Sequence, residues 1–391
     1  MNLTNTQPKG FSDTKNHYAI LDGLRGVAAV IVVMFHILET FTGGDHSKQI
    51  INHGYLAVDF FFVLSGFVIG YAYDDRWNKM SLGIFFKRRL IRLHPMIIIG
   101  MLIGAATFYL QDSASFPAIG ETPVWKMALV MLIGFTLLPV PLSMDIRGWQ
   151  EMHPLNGPAW SLFFEYIANI LYALFIRKLS NKLLAVLVFI AGAALIHLAV
   201  TSPHGDVIGG WSIEPSQLRI GFTRLLYPFF AGLLLSRICR PGQIKHAFFW
   251  SSLLLVTVLC VPRIGNHEQL WMNGLYDSLS IILVFPLIVY IGANGEIKGK
   301  AAAKISGFLG DISFPIYIIH YPFIYLFMAW VANNNEFLSG PSPYAQIVLV
   351  LAAIAVLVSS MAVAYACFKL YDEPVRKWLT KRFMNRTAHN G

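Results

Sequence analysis

Eleven apolar runs recur along the chain, near 18–40, 54–74, 93–111, 125–143, 159–177, 183–200, 219–236, 247–262, 275–292, 306–331 and 345–370. Most reach the length of about 20 residues that a helix needs to cross a bilayer. The chain is 56% hydrophobic and only 13% charged, about half the charged share of an ordinary soluble domain. A soluble core cannot hide so much apolar surface, whereas hydrocarbon can, provided that the spanning backbone satisfies itself as helix. The fold class is therefore an all-α integral membrane protein.

Charge decides which runs cross. The net charge of +9 does not point to nucleic acid, because the basic residues cluster at the ends of apolar runs, as cytoplasmic loops do. An N-terminus placed inside puts Arg76, Lys79, Lys87, Arg88, Arg89 and Arg92 inside. Counting back from a cytoplasmic C-terminus puts the loops at 293–304, 237–246 and 177–182 inside as well. The two counts disagree by one crossing, between residues 112 and 158. The simplest repair makes 125–143, with Gly134, Pro139 and Pro141 near its end, a re-entrant or interfacial segment. About ten transmembrane helices remain, with both termini cytoplasmic. Of 30 Lys and Arg, 23 then lie inside and four outside. A multi-pass protein of the inner, cytoplasmic membrane is expected. It comprises a polar tail over 1–17, one membrane-embedded domain over 18–379 and a basic tail over 380–391. The first run lacks a cleavage pattern and reads as a retained helix. Cys239, Cys260 and Cys367 are odd in number and far apart, and suggest neither a disulfide framework nor a metal site.

Ionisable groups inside spanning helices cost several kcal/mol and are functional candidates by default. In the first helix Arg25 and His36 are eleven residues apart, about three turns plus roughly 20°, so they share a face about 16 Å apart along the axis. Asp22 and Glu39 extend that face. Depth counting brings His36, Asp59, Glu165, His320 and Arg224 to one outer level, with Ser313 and Tyr317 deeper on the helix of His320, which suggests a single polar cavity. At the cytoplasmic side the stretch FFKRRLIRLHP puts four cations in six residues. Ordinary positive-inside anchoring accounts for such a cluster. So does a phosphate clamp, since arginine forks bind phosphate oxygens bidentately. Pro95 is expected to start the third helix, because the residue before a proline is biased away from helix.

Six motifs, in order, resemble the membrane-bound acyltransferase family 3. They are Arg25 with His36, AVDFFFVLSGF at 57–67, Arg89 and Arg92 followed by Pro95, WSLFFE at 160–165, DISFPIYIIH at 311–320 and YDEPVRKWL at 371–379. That family includes O-antigen and exopolysaccharide O-acetyltransferases. The resemblance, covering about 19–379, implies a ten-helix bundle that passes an acyl group from cytoplasmic acyl-CoA to an acceptor, often a glycan. It implies His36 as the catalytic histidine with Arg25 as its companion, and Arg89 and Arg92, beside Arg88, as the holders of the CoA phosphates. Tyr166 and Phe314 depart from the usual pattern, an acidic residue and a tyrosine being frequent there.

The expected activity is O-acyl, most simply O-acetyl, transfer from acetyl-CoA to a hydroxyl of a carbohydrate or glycolipid, with no metal. Histidine titrates near neutral pH, so His36 can take the hydroxyl proton. Asp59, Glu39 or Glu165 could orient its imidazole, and His320 is the second histidine candidate. A covalent acyl-histidine or acyl-serine relay through Ser161 or Ser313 is the other route. Glu39, Trp160, Ser161, Ser313, Tyr317 and Arg224 are candidate substrate contacts. The rival class is a proton-coupled transporter or a flippase, which would also use intramembrane Asp, Glu, His and Arg, but the sequence shows no internal repeat. The topology has a direct test: cysteines introduced near Ser115 and near Asp145 should both be labelled from outside by an impermeant reagent. Labelling from opposite sides would make 125–143 a true crossing.

Overall fold

The computed structural model describes residues 18–239, 242–265, 267–297 and 299–384. The expected N-terminal tail, and residues 385–391 of the basic tail, lie outside them. Among the described residues fourteen α-helices follow one another. In order they are α1 (Ala19–Thr42), α2 (Ala57–Tyr73), α3 (Leu82–Thr107), α4 (Val124–Phe135), α5 (Ala159–Leu174), α6 (Asn181–Val200) and α7 (Pro215–Ile238). There follow α8 (Ala247–Cys260), α9 (Leu270–Leu279), α10 (Phe285–Ala293), α11 (Lys300–Asn333), α12 (Asn335–Ser339), α13 (Ala345–Cys367) and α14 (Glu373–Phe383). A π turn at Ser280–Val284 joins α9 to α10, and another at Phe368–Asp372 joins α13 to α14.

Among the described residues nine helical stretches are long and apolar enough to cross a membrane. They include α9 with α10, and α13 with α14, each as one continuous stretch. The short α8 joins the two ends of the bundle. Just before it the Ile244 N–H donates to the Asn294 carbonyl, which follows α10. Near its other end the Leu259 carbonyl accepts from the His53 N–H, which precedes α2. Its 14 residues make roughly 21 Å of helix. With α8 the bundle has the ten passages expected from charge.

Helix α4 does not pass through. The Lys126 ammonium, in its first turn, donates to the Asp145 carbonyl at 3.0 Å, so the chain before and after this segment stands at one level. Leu137 takes a left-handed conformation (φ 61°) where the chain turns back. The His153 imidazole Nε2–H donates to its carbonyl at 3.2 Å.

Two details differ from the sequence expectation. Pro95 lies inside α3 rather than at its start. The Ser81 hydroxyl caps the helix by accepting from the Ile84 N–H, so the basic stretch is helical, and the proline forfeits one backbone bond. The last spanning helix also continues through its π turn to Phe383 rather than ending near 370.

Close helix contact rests on small residues, as it does where lipid is as apolar as the side chains. In α2 and α7, Gly66 lies against the Phe229 carbonyl and Gly232 against the Val63 carbonyl, where a Cβ would overlap backbone. Gly26 of α1 is held in the same way against Leu309 of α11. Gly232→Leu should therefore prise α2 from α7 and lower the thermal unfolding midpoint in detergent. The cost should be at least the ~1–3 kcal/mol typical of overpacking. A midpoint equal to wild type would mean that the two helices do not meet at Gly232.

Candidate active site

Helix α1 carries His36 and Glu39 one turn apart. The His36 Nδ1–H donates to Glu39 Oε2 at 2.6 Å, and the other carboxylate oxygen accepts from His46 Nε2 at 2.8 Å. Since a carboxylate only accepts, Nδ1 carries a proton, and in the neutral ring Nε2 is then the acceptor. The His36 ring stacks on His320 of α11 with centroids 5.6 Å apart and meets the edge of Tyr321 at 4.9 Å. His320 Nδ1–H donates to the Ile316 carbonyl at 3.0 Å, and its buried Nε2 has no partner among the described residues. The His36 side chain is 20% exposed, so it is reached from outside the bundle.

Asp59 and Glu165 are engaged away from the His36 imidazole. Asp59 is fully occupied by Arg224, which donates to both of its oxygens at 2.6 and 3.2 Å. Arg224 also donates to the carbonyls of Tyr55 and Gly209, with Trp160 under its guanidinium at 5.3 Å. This buried group braces α2 against α7. Glu165 accepts from Arg89 Nη2 at 2.7 Å and from the Ser65 hydroxyl at 3.0 Å. One acidic group, Glu39, orients His36; Asp59 and Glu165 are held elsewhere by cations of their own.

A cavity of about 1640 Å³ opens among the basic residues at one end and penetrates between α2, α3, α5 and α11. Arg76 and Lys79 line it at the level of the α2–α3 connection, and Ser161, Leu162 and Tyr317 line it deeper in. Arg25, Arg88, Arg89, Arg92, Glu165 and Ser313 also line it. Arg25 is paired with Asp22 at 3.0 Å, and Ser313 donates to the Gly310 carbonyl. Arg89 is neutralised by Glu165, whereas Arg88 and Arg92 face the cavity with no ion-pair partner among the described residues. Spaced i, i+4, these two share a helix face. The available cationic pair is thus Arg88 with Arg92 rather than Arg89 with Arg92.

Neither His36 nor His320 lines this cavity. Tyr317 stands between. Its hydroxyl is 2.7 Å from Ser161 Oγ at the cavity wall, and its ring centroid is 6.1 Å from that of His320. The Ser161 hydroxyl donates to the Pro158 carbonyl at 3.0 Å.

Several polar residues went unnoticed in the sequence. His46 sits in a loop where nothing marks it. Asp277 could have been found as a carboxylate within an apolar run; it accepts from His53 Nδ1–H and the Tyr55 hydroxyl, both at 2.8 Å. The segment before α5 buries Arg147 over the Tyr325 ring at 3.5 Å. Nearby, the Tyr325 hydroxyl donates to Glu151 at 2.7 Å. Burial pushes the Glu151 carboxyl up to about 7, against the pull of the neighbouring Arg147.

Comparison with known proteins places the chain in a family. A family model described as an acyltransferase domain, acyltransferase family 3, matches residues 18–369. Protein 2 in the picA locus of Rhizobium radiobacter is 33% identical over 193 residues, 46% of this chain and 94% of that protein. A putative O-acetyltransferase of Staphylococcus aureus strain COL is 25% identical over 338 residues, 81% of this chain and 52% of its own length. O-acetyltransferase OatA of S. aureus strain NCTC 8325 / PS 47 is 23% identical over 376 residues, 93% of this chain and 58% of its own. The chain thus spans little more than half the length of these staphylococcal relatives. No solved structure matches it. With a match over nearly its whole membrane domain, the chain belongs to acyltransferase family 3.

Proposed function

We propose that this protein is a membrane-bound O-acyltransferase that takes an acetyl group from cytoplasmic acetyl-CoA and delivers it to a hydroxyl of a carbohydrate or glycolipid. The observation that carries the reading is a pair of sites meeting at Tyr317: a cation-lined cavity on one side and the Glu39–His36–His320 group on the other. The O-acetyltransferases among the relatives support the reaction type. A carrier has no comparable support, since the family is one of acyltransferases.

In this reading Arg88 and Arg92 hold the coenzyme phosphates, and the thioester reaches toward Ser161 and Tyr317. The acceptor enters beside His36. His36 Nε2 takes the proton of the acceptor hydroxyl, whose oxygen forms a bond to the thioester carbonyl carbon. The C–S bond then breaks, the coenzyme leaves as a thiolate, and the proton that His36 took from the hydroxyl is given back to it through water, which regenerates the base. Glu39 fixes the required tautomer and stabilises the imidazolium, as the acid of a catalytic triad does. His46 in turn steadies Glu39. The Tyr317 side chain swings aside as donor and acceptor meet. The cations on the donor side and the exposure of His36 on the other favour an outer acceptor.

General-base catalysis typically supplies 10²–10⁴-fold in rate, so His36→Gln should lose acetyl transfer by about that factor while acetyl-CoA binding stays near wild type. Glu39→Gln should lose less, because the amide oxygen can still accept from Nδ1. His197, exposed on α6, is the control, and its replacement by Gln should leave the rate near wild type. A His36→Gln protein with more than about a tenth of the wild-type rate would remove His36 as the base. For the donor side, Arg92→Ala should weaken acetyl-CoA binding about tenfold or more, as the loss of a charge-assisted contact does.

A further inference from the structure

The donor cavity has a wall that the phosphate clamp does not use. Helix α14, with the end of the π turn before it, presents two adjacent i, i+4 rows to it: Asp372, Arg376 and Thr380, and Glu373, Lys377 and Lys381. The opposite side of this stretch carries Leu370, 81% exposed, and Trp378, 62% exposed, an apolar face suited to the membrane interface. The helix is therefore oriented, with Asp372 buried in the wall and the exposed Lys377 and Lys381 at the rim of the cavity. The π turn at Phe368–Asp372 contributes by shifting the register between α13 and α14.

Charge along this wall is not uniform. Asp372 accepts from Arg376 at 3.2 Å, and Glu373 from Lys377 at 2.7 Å and from Lys369 at 3.3 Å. Each carboxylate is thus paired locally, while the buried Asp372 Oδ1 keeps no partner among the described residues. Lys381, one turn beyond Lys377, has no ion-pair partner among the described residues and lines the cavity. It lies about 7.5 Å along the axis from Arg376. Helix α3 packs beside α14 and holds the other uncompensated pair, Arg88 and Arg92, about 6 Å apart along its own axis. Besides Lys79 at the α2–α3 connection, the cavity therefore offers a cationic position on each of these two helices. Acyl-CoA carries two separate anionic groups, a diphosphate and a ribose 3′-phosphate.

Resting on the donor reading above, we propose that Lys381, joined by Lys377 as it leaves its solvent-exposed pair with Glu373, forms a subsite for the ribose 3′-phosphate, while Arg88 and Arg92 take the diphosphate. The subsite gives the protein a means of selecting a 3′-phosphorylated coenzyme over other adenine nucleotides.

The test measures binding of acetyl-CoA and of 3′-dephospho-acetyl-CoA to the detergent-purified full chain. Wild type should prefer acetyl-CoA by about tenfold or more. Lys377→Gln with Lys381→Gln should abolish that preference and leave the affinity for the dephospho form unchanged, which also reports an intact fold. Arg88→Gln with Arg92→Gln should weaken both forms. Arg382→Gln, whose side chain is not in the cavity wall, should alter neither. A Lys377/Lys381 variant that keeps the preference, or that weakens both forms equally, overturns the subsite. Equal wild-type binding of the two forms overturns the subsite and leaves the donor reading standing. Binding of neither form by wild type overturns both.

Discussion

Hydrocarbon offers no hydrogen-bond partner, so each ionisable side chain inside this bundle has to find one within the protein or face a water-filled space. That constraint organises the interior. Asp59 is matched to Arg224, Glu165 to Arg89, Asp277 to His53, and Glu39 to His36 and His46. Three of these groupings join segments far apart in sequence and therefore also set which helices are neighbours. Breaking a buried pair by removing one member typically costs ~3–5 kcal/mol, because the other is left uncompensated. Against this background Arg88 and Arg92 stand out, since their charge is directed into a cavity large enough to admit a ligand.

The pairings also divide labour among residues that look alike in sequence. Arg89 and Arg92 sit one turn apart, yet Arg89 is consumed by Glu165 while Arg92 is open to the cavity. Asp59, Glu165 and Glu39 are all intramembrane carboxylates, and only Glu39 meets an imidazole with the geometry that fixes its tautomer. The two halves of the proposed chemistry are kept apart by Tyr317. A water-filled path joining them would leak ions and hydrolyse the thioester, so a side-chain partition between donor cavity and histidine pair suits a transfer across the membrane.

Much was legible in the sequence because the bilayer is a strict reader. Apolar run length and the placement of Lys and Arg were enough for an all-helical membrane protein. They also located the re-entrant 125–143, which the Lys126–Asp145 contact places back on its starting side. His36 and Glu39 could be put on one face because helix periodicity is local. The break expected at Pro95 failed because the local Ser81 cap starts the helix earlier and the packing of α3 outweighs one missing backbone bond.

What the sequence by itself determined is the membrane class, the order of the spanning runs and the set of costly polar residues within them, since all three follow from hydrophobicity and local period. Only the tertiary structure decided which cation meets which carboxylate, which arginines remain open to a ligand, and that α14 borders the cavity with its charged rows. Those choices depend on distances between segments more than two hundred residues apart in the chain, such as His53, just before α2, and Asp277 in α9. Helix rotation and crossing are set by backbone contact at small residues such as Gly66 and Gly232, and no local pattern encodes the partner that each will meet.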